Sequence, residues 1–409
     1  MIKTAMNRGK RARRSWPYAL LAVLIAAYGY WTLGRPLPAL QPISTPSSLT
    51  LQTSPAVINW PSNGQAAVSV VGDGKIITHG NQTPVPTAST AKILTSLVVL
   101  NKKPLTKGQS GPMITLDQND VDLYSQYLAK DGSVVPVAAG EQITEYQALQ
   151  TVLLPSANNM ADSLAIWAFG SLNAYAAAAQ QYLAARGLTH THVGSDASGL
   201  APTTTSTAHD LAALGVLAMQ NPVLAEIVGQ PSAAGIPVAG NIKNVNFLLG
   251  GNGVIGVKTG NSDQAGGVFV GAAQTQLAGK PVMIVTAYAA APDLFTAVKG
   301  SLPMITSAQA NFKPSVVMPA GSIVGYYKTL DGRKLPVVTS DSATLIAWQS
   351  SSIKARVGLD PISPNTRART IVGTLSVAPA TTNTGETIGL VLEQTARPPT
   401  TWWRLTHPL

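Results

Sequence analysis

At 409 residues and 42.4 kDa the chain exceeds an average domain, and its 45% hydrophobic against 11% charged residues exclude a disordered chain. It has no cysteine, which rules out disulfide scaffolds, thiol nucleophiles, Cys-based zinc sites and iron–sulfur clusters. The charge of +10 would suggest nucleic acid, but seven basic residues fall in the first 41 positions with no acid, and the other 21 against 18 acidic ones leave a nearly neutral body at +3, so no nucleic-acid partner is expected.

Residues 1–15, with Lys3, Arg8, Lys10, Arg11, Arg13 and Arg14, read as a basic cytosolic head. Trp16 to Leu33 follow without a charge, a length of about 27 Å as a helix and close to a bilayer core. Trp16 and Tyr18 at one end and Tyr28, Tyr30 and Trp31 at the other suit the two headgroup belts. Residues 16–33 are expected to be a signal-anchor in the cytoplasmic membrane, with the rest of the chain extracytoplasmic. A cleaved signal peptide ending near Ala27-Tyr28-Gly29 is the competing reading. Residues 34–64 carry Pro36, Pro38, Pro42, Pro46, Pro55 and Pro61 among Ser and Thr and read as an extended linker.

From Gln65 two apolar runs flank Gly72-Asp73-Gly74, a hairpin signal. Ile93, Leu94, Leu97, Val98 and Leu100 form an apolar face at helical spacing that starts close to Ser89. Thr144-x-x-Gln147 is a capping box opening a helix that Pro155 stops. Further helices are predicted over 159–169, 173–186 and from Ser206-Thr207 onward. Strands follow over 254–257, 267–273 and 281–288, the last two joined by a turn containing Gly279, and a helix over 293–311 closes the unit. Strands, then helices, then strands and a helix predict an α+β domain over 65–312, an antiparallel sheet with a segregated helical part. Short strands at regular spacing after Lys313 predict a small all-β domain, a β-sandwich, over 313–409, against which Trp402-Trp403 are expected to pack.

Three short patterns occur in order: Ser89-Thr-Ala-Lys92, Ser156-Ala-Asn158 and Lys258-Thr259-Gly260. Ser351-x-x-Lys354 and Ser171-Leu-Asn173 imitate the first two, but Ser351 lies after the third motif and in a β-rich region. Ser89 is placed at a helix N-terminus, where free N–H groups favour a developing anion. Lys92, one turn on, can reach its hydroxyl, and burial beside Lys258 would lower its pKa enough to take the proton. Ser156 follows Pro155 at a helix junction. Lys258-Thr259-Gly260 ends an apolar strand, Gly260 leaving room for a substrate along the strand edge. Together these make an acyl-transfer site for a substrate that ends in a carboxylate.

In their context of Pro86-Thr-Ala-Ser-Thr-Ala-Lys92, Leu154-Pro-Ser-Ala-Asn-Asn159 and Gly256-Val-Lys-Thr-Gly260, the three motifs resemble those of the low-molecular-mass penicillin-binding proteins. More narrowly, the chain resembles the serine-type D-alanyl-D-alanine carboxypeptidases, as do Gly187 to His192, Asp196 to Leu200 and Ser206 to Asp210. The resemblance implies a transpeptidase-like fold, a peptidoglycan stem peptide as substrate, β-lactams as acylating agents and no cofactor. It implies Ser89 as nucleophile, Lys92 as general base and Ser156 as proton shuttle to the leaving D-alanine. Asn158 would hold the peptide amide, and Lys258 and Thr259 would bind the terminal carboxylate, with Gly260 leaving room for the substrate beside them. The N–H groups of Ser89 and Asn261 would form the oxyanion hole.

The chain departs from the family pattern at Asn159-Met160, Ile255, Asn261-Ser262 and His209, which stands where an arginine is frequent. Tyr124, Ser125 and Tyr127 either line the cleft or pack in the core. His190, His192 and Asp196 offer a zinc-peptidase alternative, and Glu226 lacks the setting a class A β-lactamase needs for deacylation. A non-catalytic β-lactam sensor or wall-binding protein on the same fold is the remaining rival.

Overall fold

The computed structural model describes residues 12–44, 48–277, 280–379 and 385–407. Lys3, Arg8, Lys10 and Arg11 of the expected basic head, and Gly279 of the expected turn, lie outside these residues. The chain divides into two compact units, one of residues 53–313 with 346–351, the other of residues up to 52, 314–345 and 352 onward.

The larger unit is built on a five-stranded antiparallel sheet in the order Val254–Ser262, Gly266–Leu277, Lys280–Ala291, Gln65–Val70, Ile76–His79. The strands read as near-continuous apolar runs because both faces are buried, and alternate residues go to opposite sides. Ala66, Val68, Phe269, Ala273 and Ile284 pack with Ala297, Val298, Met304 and Ile305 of helix Leu294–Ala310. Ala67, Val268, Val270, Ala272 and Val285 face the helices Ala91–Lys102 and Ala208–Gln220. Helices Gln118–Leu128, Glu145–Leu153, Asn158–Phe169, Leu172–Ala184 and Pro222–Val228 make up the segregated helical part. The α+β class expected from the order of elements is the class observed.

Local signals explain several boundaries. Thr144 and Gln147 form the reciprocal capping box at Glu145–Leu153. Gln118–Leu128, absent from the sequence reading, opens on an equivalent box between Asp117 and Asp120. Helix Ala91–Lys102 is buried on every side from Ala91 to Leu100, so it is a central element that fixes whatever it carries.

The smaller unit carries a seven-stranded antiparallel sheet. Its order is Pro42–Ser44, Ile323–Lys328, Lys334–Thr339, Glu386–Leu392, Ile371–Pro379, Ser352–Leu359, Ser48–Gln52. The regularly spaced short strands do not by themselves give this order, since alternation fixes faces and not partners. The outermost strands come from the stretch expected to be a free linker. Only residues 45–47 separate them, so the sheet curls until its edges approach. Their pairing is through backbone groups and needs no apolar period, and an edge tolerates Pro42. Residues 53–64 of that stretch are part of the larger unit, where Ile58 is buried and Asn311 holds the Val57 N–H at 3.0 Å and its carbonyl at 2.7 Å.

Helix Ala12–Gly34 is long and apolar enough to cross a membrane and leaves Leu20, Leu21, Val23, Leu24 and Ile25 exposed. Its end is joined by the short helix Thr401–Thr406: Tyr28 donates to the Leu405 carbonyl at 2.7 Å and Arg404 to that of Thr32 at 2.9 Å. Trp402 does not pack against the β-domain as expected; it is 75% exposed.

Gly215, inside helix Ala208–Gln220, marks how closely that helix lies on the sheet. A Cβ there would stand 2.7 Å from Val270 Cγ1 and 2.8 Å from Val285 Cγ1. Helix propensity alone makes Gly→Ala favourable by about 1 kcal/mol. Overpacking reverses the sign here, so Gly215→Ala is expected to destabilise by about 1–3 kcal/mol in urea unfolding; a stabilised variant would show that the helix stands off the sheet.

Candidate active site

Val85–Pro86 pair with Thr205–Ser206, and the chain then turns through a short 3-10 helix, Ala88–Thr90, into helix Ala91–Lys102. Ser89 therefore lies in the turn ahead of the α-helix rather than at its cap. The turn is tight: Ala88 sits at φ 43°, and Thr90 Oγ1 donates to the Thr87 carbonyl at 2.6 Å. Ser89 is half-buried, and Lys92 is fully buried one turn on.

Lys92 Nζ has three partners: Ser89 Oγ at 2.9 Å, Asn158 Oδ1 at 2.6 Å and the Ser198 carbonyl at 3.0 Å. Two of these, an amide oxygen and a backbone carbonyl, only accept. A neutral amine has two N–H groups and one lone pair, so its donors go to Asn158 and Ser198. Its lone pair then faces the Ser89 hydroxyl, the one partner with a proton to give. Burial, and next the charge of Lys258, push the Lys92 pKa well below the ordinary lysine value, against the opposing pull of Asp196 and Asp162. Lys258 is itself buried, which pulls its pKa down to about 7, and its Nζ donates to the Thr259 carbonyl at 3.1 Å.

The three motifs are brought together by different means. Asn158 opens helix Asn158–Phe169 and reaches Lys92 directly, so in the free protein its carbonyl oxygen is engaged there. Ser156 stands just before that helix at φ 67° and is buried. Its neighbours hold the corner, with Ala157 N–H donating to Thr151 and Asn158 N–H to Ser133, at 3.1 and 2.7 Å. Among the described residues no hydrogen bond joins Ser156 Oγ to Ser89 or Lys92. Strand Val254–Ser262 carries buried Lys258 and Thr259 past the Ser89 turn. A Cβ on Gly260 would lie 3.0 Å from the Thr87 carbonyl and 3.1 Å from the Ser89 nitrogen. Its missing side chain thus lets the strand close on the serine's backbone.

The loop Asp196 to Leu200 presses on the same turn from the other side. Gly199, at φ 75°, is the one residue that fits, since a Cβ would stand 2.1 Å from the Ala88 carbonyl. Beside these residues opens a cleft of about 760 Å³ walled by Tyr127, Asp162, Asp196 and Leu200 and, past the Lys-Thr-Gly triplet, by exposed Asn261 and Asp263.

Several residues singled out from sequence have other uses. Asn159, one of the departures, clamps both backbone groups of Val135, at 3.2 and 3.0 Å. The His209 ring meets Asp210 at 2.9 Å and none of the motif residues. Asp196 turns into its own loop, accepting from Gly199 and Ala201, and is not presented with His190 and His192. The decoy Ser351 is buried against Asp73 at 2.6 Å, and Ser171 caps helix Leu172–Ala184. Tyr127 both lines the cleft and is buried, donating to Asp162 at 2.6 Å. Sequence reasoning passed over Asp162, although a lone charge in the helix Asn158–Phe169 was a usable signal. The Ser198 carbonyl had no signal, being backbone.

Comparison with known proteins agrees with this geometry. The family model for D-alanyl-D-alanine carboxypeptidases matches residues 62–290. The D-alanyl-D-alanine carboxypeptidase DacB2 of Mycobacterium tuberculosis is 33% identical over 220 residues, 52% of this chain and 71% of that protein. The D-alanyl-D-alanine carboxypeptidase DacD of Francisella tularensis superposes with a TM-score of 0.57 at 17% identity, over 84% of this chain and 96% of that one. The Streptomyces K15 DD-transpeptidase superposes with a TM-score of 0.54 at 23% identity, over 62% of this chain and 100% of that one. The motifs, their convergence on Lys92 and the match over more than half of the chain agree: it belongs to the D-alanyl-D-alanine carboxypeptidase family of serine peptidases.

Proposed function

We propose that the protein removes the terminal D-alanine from peptidoglycan pentapeptide stems through an acyl-enzyme on Ser89, and that β-lactams acylate the same serine. The observation that carries this reading is the Lys92 amine, which has two acceptor-only partners and Ser89 as the third. Neutral Lys92 takes the Ser89 proton as Oγ attacks the carbonyl of the penultimate D-alanine. The oxyanion collects at the N–H groups of Ser89 and Asn261, where the close approach of Gly260 to the Ser89 nitrogen supports a shared pocket. The C–N bond then breaks, with Ser156 relaying a proton to the leaving amine, and water releases the shortened peptide and free Ser89.

Lys258 and Thr259 receive the terminal carboxylate; a buried ammonium with a single backbone acceptor has N–H groups left for it. Asn158 acts first on Lys92, so its contact with the peptide amide uses its NH₂ group. Helix Ala12–Gly34 serves as an uncleaved signal-anchor in the cytoplasmic membrane, holding the catalytic unit outside where peptidoglycan lies. Exposed Trp402, on the helix joined to the end of that span, adds to the aromatic belt at the outer headgroups.

Incubation with a diacyl-Lys-D-Ala-D-Ala peptide is expected to release D-alanine, and a fluorescent penicillin to label the protein. Ser89→Ala should abolish labelling and lower release by roughly 10⁴-fold or more, with no effect of chelators. Release that survives Ser89→Ala, or is lost on chelation, would refute the serine mechanism; labelling without release would favour a β-lactam sensor.

The active form needs Lys92 neutral and Lys258 charged, a singly protonated pair. kcat/KM should therefore fall on the acid side as Lys92 takes a proton and on the alkaline side as Lys258 loses one. Lys258→Arg, permanently charged, should remove the alkaline limb while leaving the acid limb in place. An unchanged alkaline limb would take Lys258 out of this role.

A further inference from the structure

We propose that Asp162 is a positioning residue for the Lys92 base, so that the second motif of this chain runs on for one helical turn, from Ser156 through Asn158 to Asp162. Asn158 and Asp162 are four residues apart on helix Asn158–Phe169 and so share a face. Asn158 touches Lys92 directly, whereas Asp162 acts on it through two other elements, one for each carboxylate oxygen.

Oδ1 accepts the Ala197 N–H at 2.8 Å. The Ala197 carbonyl in turn accepts from Thr95 Oγ1 at 2.6 Å, and that hydroxyl is also bonded to Tyr175 at 2.8 Å. The loop is thereby gripped from both sides one residue before Ser198, whose carbonyl takes the Lys92 N–H at 3.0 Å. Oδ2 accepts the Tyr127 hydroxyl at 2.6 Å, and Ser198 Oγ donates to the same Tyr127 oxygen at 3.4 Å. Asp162 thus ties helix Gln118–Leu128, the Asp196 to Leu200 loop and its own helix around one amine.

A buried carboxylate that merely braced a loop would need nothing more. Asp162 also bears on the charge of Lys92, which is faced by Lys258 on the Lys-Thr-Gly strand, Asp196 on the loop and Asp162 on its helix, with Tyr127 and Tyr175 neutral nearby. Two buried lysines thus meet two acidic side chains. Asp162 is 2% exposed, and burial raises its own pKa to about 6, so it is ionised above neutral pH and favours the protonated lysine there.

The inference rests on Lys92 as the base for Ser89, and the test separates the two. Asp162→Asn keeps the shape: its oxygen still accepts from Ala197 and its NH₂ donates to the Tyr127 oxygen. The charge goes, and the Tyr127 hydroxyl proton turns from residue 162 toward Ser198 Oγ. The acid limb of kcat/KM for diacyl-Lys-D-Ala-D-Ala should then move to lower pH by about one unit, with the alkaline limb unmoved. Tyr127→Phe, which weakens Asp162 as an anion by removing its hydrogen-bond donor, should shift the limb the same way by less, and it carries the test if Asp162→Asn does not fold. Asp162→Ala should lower kcat/KM by about 10–100-fold through loss of both anchors. An acid limb in Asp162→Asn and Tyr127→Phe that coincides with wild type would overturn the proposal. Full activity in Lys92→Met would instead remove its premise.

Discussion

Lys92 is buried with its Nζ among Ser89 Oγ, Asn158 Oδ1 and the Ser198 carbonyl, and on this contact the catalytic unit depends. A buried ammonium is costly unless anions balance it, and a second buried lysine nearby raises that cost. The site answers with Asp162 and Asp196, close enough to temper the amine without taking it from the serine. Acceptor-only partners do the steering: in the neutral form of the amine proposed, they leave the lone pair a single direction. Chemistry follows from geometry here because each neighbour of Lys92 is held by something else: Asn158 by a helix start, Ser198 by a gripped loop, Ser89 by a strained turn.

The sheet brings Lys258 and Thr259 up to that turn. Helices on both faces bury it, and glycines allow the close approaches, Gly215 in the helix against the sheet and Gly260 against the serine. Where the backbone had to be bent to present a side chain, at Ala88 and Ser156, positive φ angles are carried by ordinary residues. Strain of this kind persists where the surroundings over-determine it, and here it flanks the two catalytic serines proposed.

What could be read in the sequence was local. The capping box at Thr144, the stop at Pro155 and the apolar strands each leave their cause within a few residues, and so do the three motifs. What could not be read was long-range or made of backbone. Pro42–Ser44 and Ser48–Gln52 join a sheet by main-chain pairing, and a proline-rich stretch gave no period to betray it. Ser198 contributes a carbonyl, which any residue has. Asn158 shows the limit of carrying a role over by motif: its oxygen serves the lysine, a fact visible only once Lys92 and the second motif stand side by side.

On this reading Lys92 is a neutral amine at working pH, its lone pair on Ser89. Lysine-labelled protein, with the Lys92 signal assigned through Lys92→Arg, allows its ¹³Cε shift to be followed against pH. A midpoint well below the value of about 10.4 for an ordinary lysine is expected. A Lys92 that stays protonated to about pH 10 would contradict it.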